Sequence, residues 1–362
     1  MKANKLLKTF AASTLSLALM ASVTVMPAMA DSVTSDNSGA GLTSFTITKN
    51  LTKEKETMVP NTTFNFTVSV ATPGEGETRN EIPVSAGIDG GITATSGAVF
   101  APAEVLDPST NVTSTATFGV NGTKFTTPGI YKYTISEVNS GYDGISYSTN
   151  VLDLYVYVQN EGGKVIVKHT ELVDPDGGVD GEAKIDSFTN DYDSIDKDQL
   201  HDLVLYKVIS GNSANMNEKF NFTVKIDGES GEKYYVEYGT FGNGNFTKGE
   251  KTVILTSGSE ATITLGHNEA VKVYGLDSDD AYTITEQNAN TNGYILKIND
   301  ADQKDEDGQT NGTISADATV KYENSKNATT PTGVIMNVAP YALMVVIALA
   351  GVAVFMRKRV ED

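Results

Sequence analysis

The chain has 362 residues, 39% of them apolar, which is enough to fill two cores of ordinary size and too many for a disordered chain. Its formal charge of −19 would be more negative still without the basic residues near its two ends, and such a surface disfavours nucleic acid and anionic lipid as partners. It contains no cysteine, so any covalent brace in this protein is not made of sulfur.

At the start, Lys2, Lys5 and Lys8 precede the apolar stretch LSLALMASVTVM and then Ala28-Met29-Ala30, the three-part layout of a secretory signal peptide. Residues 1–30 are expected to be removed on export, leaving a mature chain that begins near Asp31. A short Ser/Asn/Gly-rich lead follows. The chain then reads as strand after strand, with runs of Val, Ile, Thr, Tyr and Phe separated by Gly, Asn, Asp and Pro. The clearest are FNFTVSV, ATFGV, YKYTISEV, VLDLYVYV, KVIVKHTEL, DLVLYKVI, FNFTVKI, KTVILTS, ATITL, VKVYGL, YTITE and TVKYEN. Helical periodicity is confined to the two terminal segments. The expectation is an all-β protein of two tandem Ig-like β-sandwich domains.

The second half repeats the first. NTTFNFTVSV at 61–70 returns as NEKFNFTVKI at 217–226, and YTISE at 133–137 returns as YTITE at 282–286. Duplication of one domain explains this most simply, giving units at 31–195 and 200–326 that join in the charged segment NDYDSIDKDQLHD, 190–202. The longer span from Glu137 to Asn190 than from Glu286 to Asn324 implies loop insertions in the first unit.

Each unit places three polar residues on the apolar side of a period-2 strand. Phe45, Ile47 and Lys49 share a face, as do Leu203, Leu205, Lys207 and Ile209. Glu137 is co-facial with Tyr131, Tyr133 and Ile135, and Glu286 with Tyr282 and Ile284. Asn190 follows Phe188, and Asn324 follows Val320 and Tyr322, on the same principle. A buried Lys-Glu ion pair with a hydrogen-bonded Asn is one reading of each set. The other is a reaction: a neutral amine attacks the Asn carbonyl and expels ammonia, forming an interstrand amide. Desolvation lowers a lysine pKa and raises a carboxyl pKa by up to roughly 3 to 5 units, so burial can bring the pair together in neutral form. The protonated Glu then polarises the Asn carbonyl and carries the proton to the leaving amine. Two sets in register, in an exported chain without cysteine, favour the reaction, with Lys49-Asn190 and Lys207-Asn324 as the linked pairs and Glu137 and Glu286 as proton carriers. Each bond would clamp the first and last strands of its sandwich.

The last segment, 327–362, carries Thr330-Pro331-Thr332-Gly333, then the 23-residue apolar run 334–356, interrupted by Asn337 and Pro340, then Arg357-Lys358-Arg359. The run is long enough to cross a bilayer, and the basic cluster sets the tail on the cytoplasmic side. This order resembles the cell-wall sorting signal of Gram-positive surface proteins, which a sortase cleaves between Thr and Gly. Thr332-Gly333 is then the scissile bond, although a Thr stands where the common form of the motif has a leading Leu.

Taken with the paired triads, the chain resembles the major backbone pilins of Gram-positive sortase-assembled pili, in particular a two-domain streptococcal backbone pilin. The resemblance implies a structural shaft subunit, not an enzyme beyond its own crosslinking, secreted, transiently held in the membrane by its tail and finally anchored to peptidoglycan. Its partners would be sortase, identical subunits, minor pilins and host surface ligands. It also implies that Thr332 is joined to a lysine near the last strands of the first domain of the next subunit, with Lys184 the first candidate and Lys168 the second. A monomeric wall-anchored adhesin using the same crosslinked domains as a stalk is the alternative; two modest domains without a large head favour the shaft.

Other signals carry less. The acidic stretches beginning at Asp174 and Asp300 lack the bidentate acid of a calcium loop, since Ile185 and Asn311 stand at the twelfth position. His169, His201 and His267 show no metal spacing. No cofactor or metal site is expected.

Overall fold

The computed structural model describes residues 33–34, 41–176, 183–192, 200–303, 308–328, 341 and 343–352. The expected signal peptide, the Thr330–Gly333 motif and most of the apolar run 334–356 lie outside them. Residues 343–352 are helical, and among the described residues no helix is long and apolar enough to cross a membrane.

Alternation between buried and exposed positions sets the strands. In Ser44–Lys53, Phe45, Ile47, Lys49, Leu51 and Lys53 are buried while Ser44 and Thr46 face water. His201–Ser210 buries Leu203, Leu205, Lys207 and Ile209 in the same way. The segments named from sequence form strands, with FNFTVSV broken at Asn65 into two, and short additions such as Thr78–Arg79, Ile82–Ala86 and Ala98–Phe100 extend the first half.

The strands make two β-sandwiches in tandem. In the first, a five-stranded sheet runs Ile145–Ser146, Ser187–Tyr192, Ser44–Lys53, Asn111–Val120, Ile92–Ser96, and it is paired with an eight-stranded sheet that contains Phe66–Val70, Gly129–Glu137, Val151–Glu161 and Lys164–Asp174. In the second, a seven-stranded sheet centred on His201–Ser210 and Ala318–Ser325 is paired with a four-stranded sheet that contains Phe220–Asp227 and Ala281–Glu286. Each sandwich closes on its own hydrophobic cluster. Leu200 packs with the first cluster and Leu203 with the second, so the cores change over within a few residues.

Strand order is what positions the polar sets. In each sandwich an early strand pairs in parallel with the last: Lys49, on Ser44–Lys53, stands opposite Phe188, and Lys207, on His201–Ser210, opposite Tyr322. Each asparagine lies two residues further along its strand, so it shares a sheet face with its lysine. The glutamates come from the facing sheets, on Gly129–Glu137 and Ala281–Glu286.

The repeated FNFTV motif is used differently in the two halves. In the second it is one continuous strand, paired on one side with Glu260–Leu265 and on the other with Ala281–Glu286. In the first, the ladder breaks at Asn65: Thr62–Phe64 turns to pair with Ala98–Phe100, and Phe66–Val70 pairs with Gly129–Glu137. The register beside the glutamate survives the break, with Phe66 opposite Glu137 and Phe222 opposite Glu286.

Phe222 is fully buried, with its ring edge-on to that of Tyr322 at 5.0 Å. Phe222→Ala should lower the unfolding free energy by about 3–5 kcal/mol in denaturant titrations. Val70→Ala, at a position 46% exposed, should change it by less than about 0.5 kcal/mol.

Candidate functional site

The two polar sets expected from sequence are both assembled, each inside its own sandwich. In the second, Lys207 Nζ donates to Glu286 Oε2 at 2.7 Å, and Asn324 Nδ2 donates to Glu286 Oε1 at 2.6 Å. All three residues are buried. One carboxylate therefore touches both nitrogens, the amine and the carboxamide, through its two oxygens.

The first set repeats this arrangement with small differences. Lys49 Nζ lies 2.7 Å from Glu137 Oε2, off the direction of a hydrogen bond, and both side chains are fully enclosed. Asn190 Nδ2 donates to Glu137 Oε1. The Asn190 carbonyl has a partner of its own: the Ser148 backbone N–H donates to Oδ1 at 2.8 Å. In the second set the Asn324 Oδ1 is buried without a donor among the described residues.

Burial governs the amines. Desolvation pushes Lys49 down to about 8 from 10.5, an effect only partly offset by the neighbouring Glu137 carboxylate. Lys207 is likewise pushed down to about 8 by burial against the opposing pull of Glu286. A substantial fraction of each amine is thus neutral and nucleophilic under mildly alkaline conditions, which is unusual for lysine.

The FNFTV motif, legible from sequence only as a repeat, turns out to wall this chemistry. Its first phenylalanine lies against the amine, with Lys49 Nζ 4.8 Å from the Phe64 ring centroid and Lys207 Nζ 4.4 Å from that of Phe220. Its second phenylalanine stands opposite the glutamate in the ladder. Sequence reading also missed the Ser148 N–H. A main-chain donor leaves no residue-type signal, so none could have found it.

The two lysines considered for intersubunit linkage lie elsewhere, on the first sandwich. Lys184, in the short strand Ala183–Lys184 beside Lys164–Asp174, has a side chain 66% exposed and pairs with Glu171 Oε1 at 2.8 Å. It borders a cleft of about 430 Å³ also lined by Glu77, Arg79, Tyr155, Tyr157 and His169. Lys168 pairs with Glu161 at 2.9 Å. Thr332 and Gly333 are outside the described residues.

Residues 45–193 match the family model of the Spy0128-like isopeptide containing domain, and residues 201–326 match that of a domain of unknown function (DUF7601). A pilin from Streptococcus pyogenes serotype M1 is 26% identical over 335 residues, spanning 87% of this chain and 90% of that one. The chain is thus similar to a pilin over most of its length. A second relative, the pilus tip adhesin Cpa of the same species, is 33% identical over 133 residues, which is 37% of this chain but only 18% of the adhesin. The crystal structure of a variant of the major pilin from Streptococcus pyogenes superposes with a TM-score of 0.53 at 20% identity, covering 79% of this chain and 99% of that one. The major pilin T-13 of that species gives 0.50 at 23% identity, again covering 79% of this chain, and 98% of the other. These structures share the fold.

Because burial is the leading cause of the lowered amine pKa, uncovering the pocket should reverse it. In an Asn324→Ala background, which removes the facing carboxamide, Phe220→Ala should return the Lys207 pKa from about 8 toward 10.5. Amine-directed NMR titration reads this directly, and an unchanged pKa would mean that Phe220 does not control access of water.

Proposed function

We infer that this protein is a structural subunit of a pilus, and that each sandwich carries an intramolecular amide formed by its own residues, Lys49 with Asn190 and Lys207 with Asn324. The observation that carries the inference is the duplicated geometry: a lysine on an early strand, an asparagine two residues out of register on the last strand, and a facing carboxylate in contact with both nitrogens. Similarity to a pilin across nearly the whole chain supports the same reading. The units are taken as 31–195 and 200–326.

The reaction balances within the site. The neutral lysine amine adds to the Asn carbonyl carbon, giving a tetrahedral centre whose oxygen bears the charge. Glu accepts the proton from the attacking nitrogen on Oε2 and returns one to the amide nitrogen from Oε1, so that ammonia leaves and a secondary amide remains. In the first sandwich the Ser148 N–H is aimed at the oxygen where charge develops. In the second, the Asn324 carbonyl has no such donor among the described residues. Holding all three groups in place removes the entropic cost of their encounter. Both lysines lose their titratable amine in the product.

Glu137→Ala should abolish the bond of the first sandwich and leave the second intact, and Glu286→Ala the reverse, read by peptide mapping of each purified variant. A bond that still forms in its own Glu variant would remove the proton-carrier role. In unlinked Asn190→Ala and Asn324→Ala variants the lysines remain titratable. Folding lowers their pKa from 10.5 to about 8, so between those values the unfolded chain binds more protons and stability should rise with pH, a rise absent from the linked parent. Chemical denaturation at pH 7.5, 8.5 and 9.5 measures the difference.

At the assembly level, export by the residue 1–30 signal, cleavage at Thr332-Gly333 by a sortase, linkage to Lys184 of the next subunit, joining to minor pilins and final attachment to peptidoglycan complete the reading. Such a shaft would lie outside a Gram-positive cell. Wall extracts on a denaturing gel should show a ladder of covalent multimers that collapses to monomer in Lys184→Arg. A single band from the parent would favour a monomeric anchored adhesin, and a ladder that persists in Lys184→Arg would move the acceptor to Lys168 or another lysine.

A further inference from the structure

Where the two sandwiches meet, three carboxylates are buried together. Glu232 ends the turn before the strand Lys233–Gly242, and Asp277 and Asp280 bracket the turn between Glu269–Leu276 and Ala281–Glu286. All three are at most 2% exposed, and one oxygen from each lies within 4.8 Å of the others. None forms an ion pair with a described lysine, arginine or histidine. Hydroxyls from the first sandwich reach in: Tyr142 and Tyr192 each donate to Glu232 Oε1 at 3.3 Å. Tyr234 donates to Glu232 Oε2 at 2.9 Å and also to Asp280. The Asp277 main-chain N–H donates to Asp280 Oδ2 at 3.0 Å.

Asp277 is the exception. It is fully buried, and neither carboxylate oxygen has a donor among the described residues. What faces it is more negative charge: a second group within 4.8 Å joins Asp277 to Asp279 and to Asp143 of the first sandwich. Buried charges are tolerated when they are paired or coordinate a metal, and a buried carboxylate with neither carries its full desolvation cost. Asparagine at 277 would relieve this, yet the chain keeps an acid.

We propose that Asp277, Glu232 and Asp280 bind a divalent cation of the calcium type at the junction between the two sandwiches. Size and donor type favour calcium. Oxygens held at about 2.3–2.6 Å around one ion stand no more than about 5 Å apart, which the 4.8 Å spread satisfies, and all the candidate donors are hard oxygen atoms. Magnesium, with shorter bonds and strict octahedral demands, suits a spread of this width less well. Gly228 fits the same crowding, since a Cβ there would lie 1.9 Å from Asp280 Oδ1 and 2.2 Å from the Tyr234 hydroxyl. The cation is distinct from anything expected of the acidic stretches at Asp174 and Asp300. It would tie the turns of the second sandwich to Asp143, Tyr142 and Tyr192 of the first.

The test uses the full mature chain and the metal alone. Calcium chloride should bind with one high-occupancy site by calorimetry, and 10 mM should raise the Tm by about 5 °C over chelator-treated protein if the dissociation constant is near 0.1 mM. Terbium should give tyrosine-sensitised luminescence, in a chain with no tryptophan, that calcium displaces. Asp277→Asn should fold, lose the calcium response and weaken terbium binding at least tenfold. Should the parent show no binding heat and the same Tm in calcium and chelator, the site is a protonated carboxyl cluster and the proposal fails. It also fails if Asp277→Asn keeps the full calcium response, which would place the ion elsewhere.

Discussion

Two lysine amines cut off from water govern the rest of this structure. An ammonium in an apolar interior is among the most costly groups a fold can bury, and here each is held between an aromatic ring and a single carboxylate. The interior responds by lowering the charge on the amine, to the point where proton loss occurs near pH 8. The strain that makes the site expensive as an ion pair is what makes it reactive as an amine beside a carboxamide. The proposed condensation would remove the charge for good and leave a neutral amide suited to its surroundings.

Topology gives that local chemistry a mechanical meaning. Because an early strand and the last strand of each sandwich are neighbours in a parallel pair, the proposed bond from Lys49 to Asn190 would bypass everything folded between those two strands, and the one from Lys207 to Asn324 would do the same. Tension entering near the start of one sandwich would leave at its end through a single covalent crossing, then pass through the short join into the next. This parallel pairing with the last strand is therefore the feature that would turn an interior amide into a load path. Hydrogen-bonded ladders elsewhere need only hold the shape.

Much of this was legible in the sequence because period-2 alternation is strict in the strands that matter. Lys49, Glu137 and Lys207 stood out as charged residues on apolar faces, and the structure places them there. The facing arrangement of the glutamates was not legible, since alternation gives a residue's side of a strand but not which sheet it joins. The role of FNFTV was hidden for a related reason: Phe64 and Phe220 look like ordinary core residues until the amines lie against them. The interdomain acids were invisible because Glu232 and Asp277 are separated in sequence and sit in turns, where acidic residues normally mean solvent. Leu200, within the expected second unit, packs with the first cluster, a choice made by three-dimensional proximity that no periodicity encodes.

The two sandwiches also show how one motif tolerates remodelling. Asn65 breaks the strand that stays whole in the second copy, and the freed segment pairs elsewhere, yet the residues around the lysine and glutamate keep their register. The conserved part of the duplication is thus the pocket and the parallel pairing with the last strand, while edges and loops vary around it. The central claim is that both pockets have reacted in the mature protein. Intact-mass measurement of purified chain that sortase has neither cleaved nor polymerised decides it: the account predicts about 34 Da below the mass of that chain's sequence, one ammonia of about 17 Da for each bond. A mass equal to that of the unmodified sequence would contradict it.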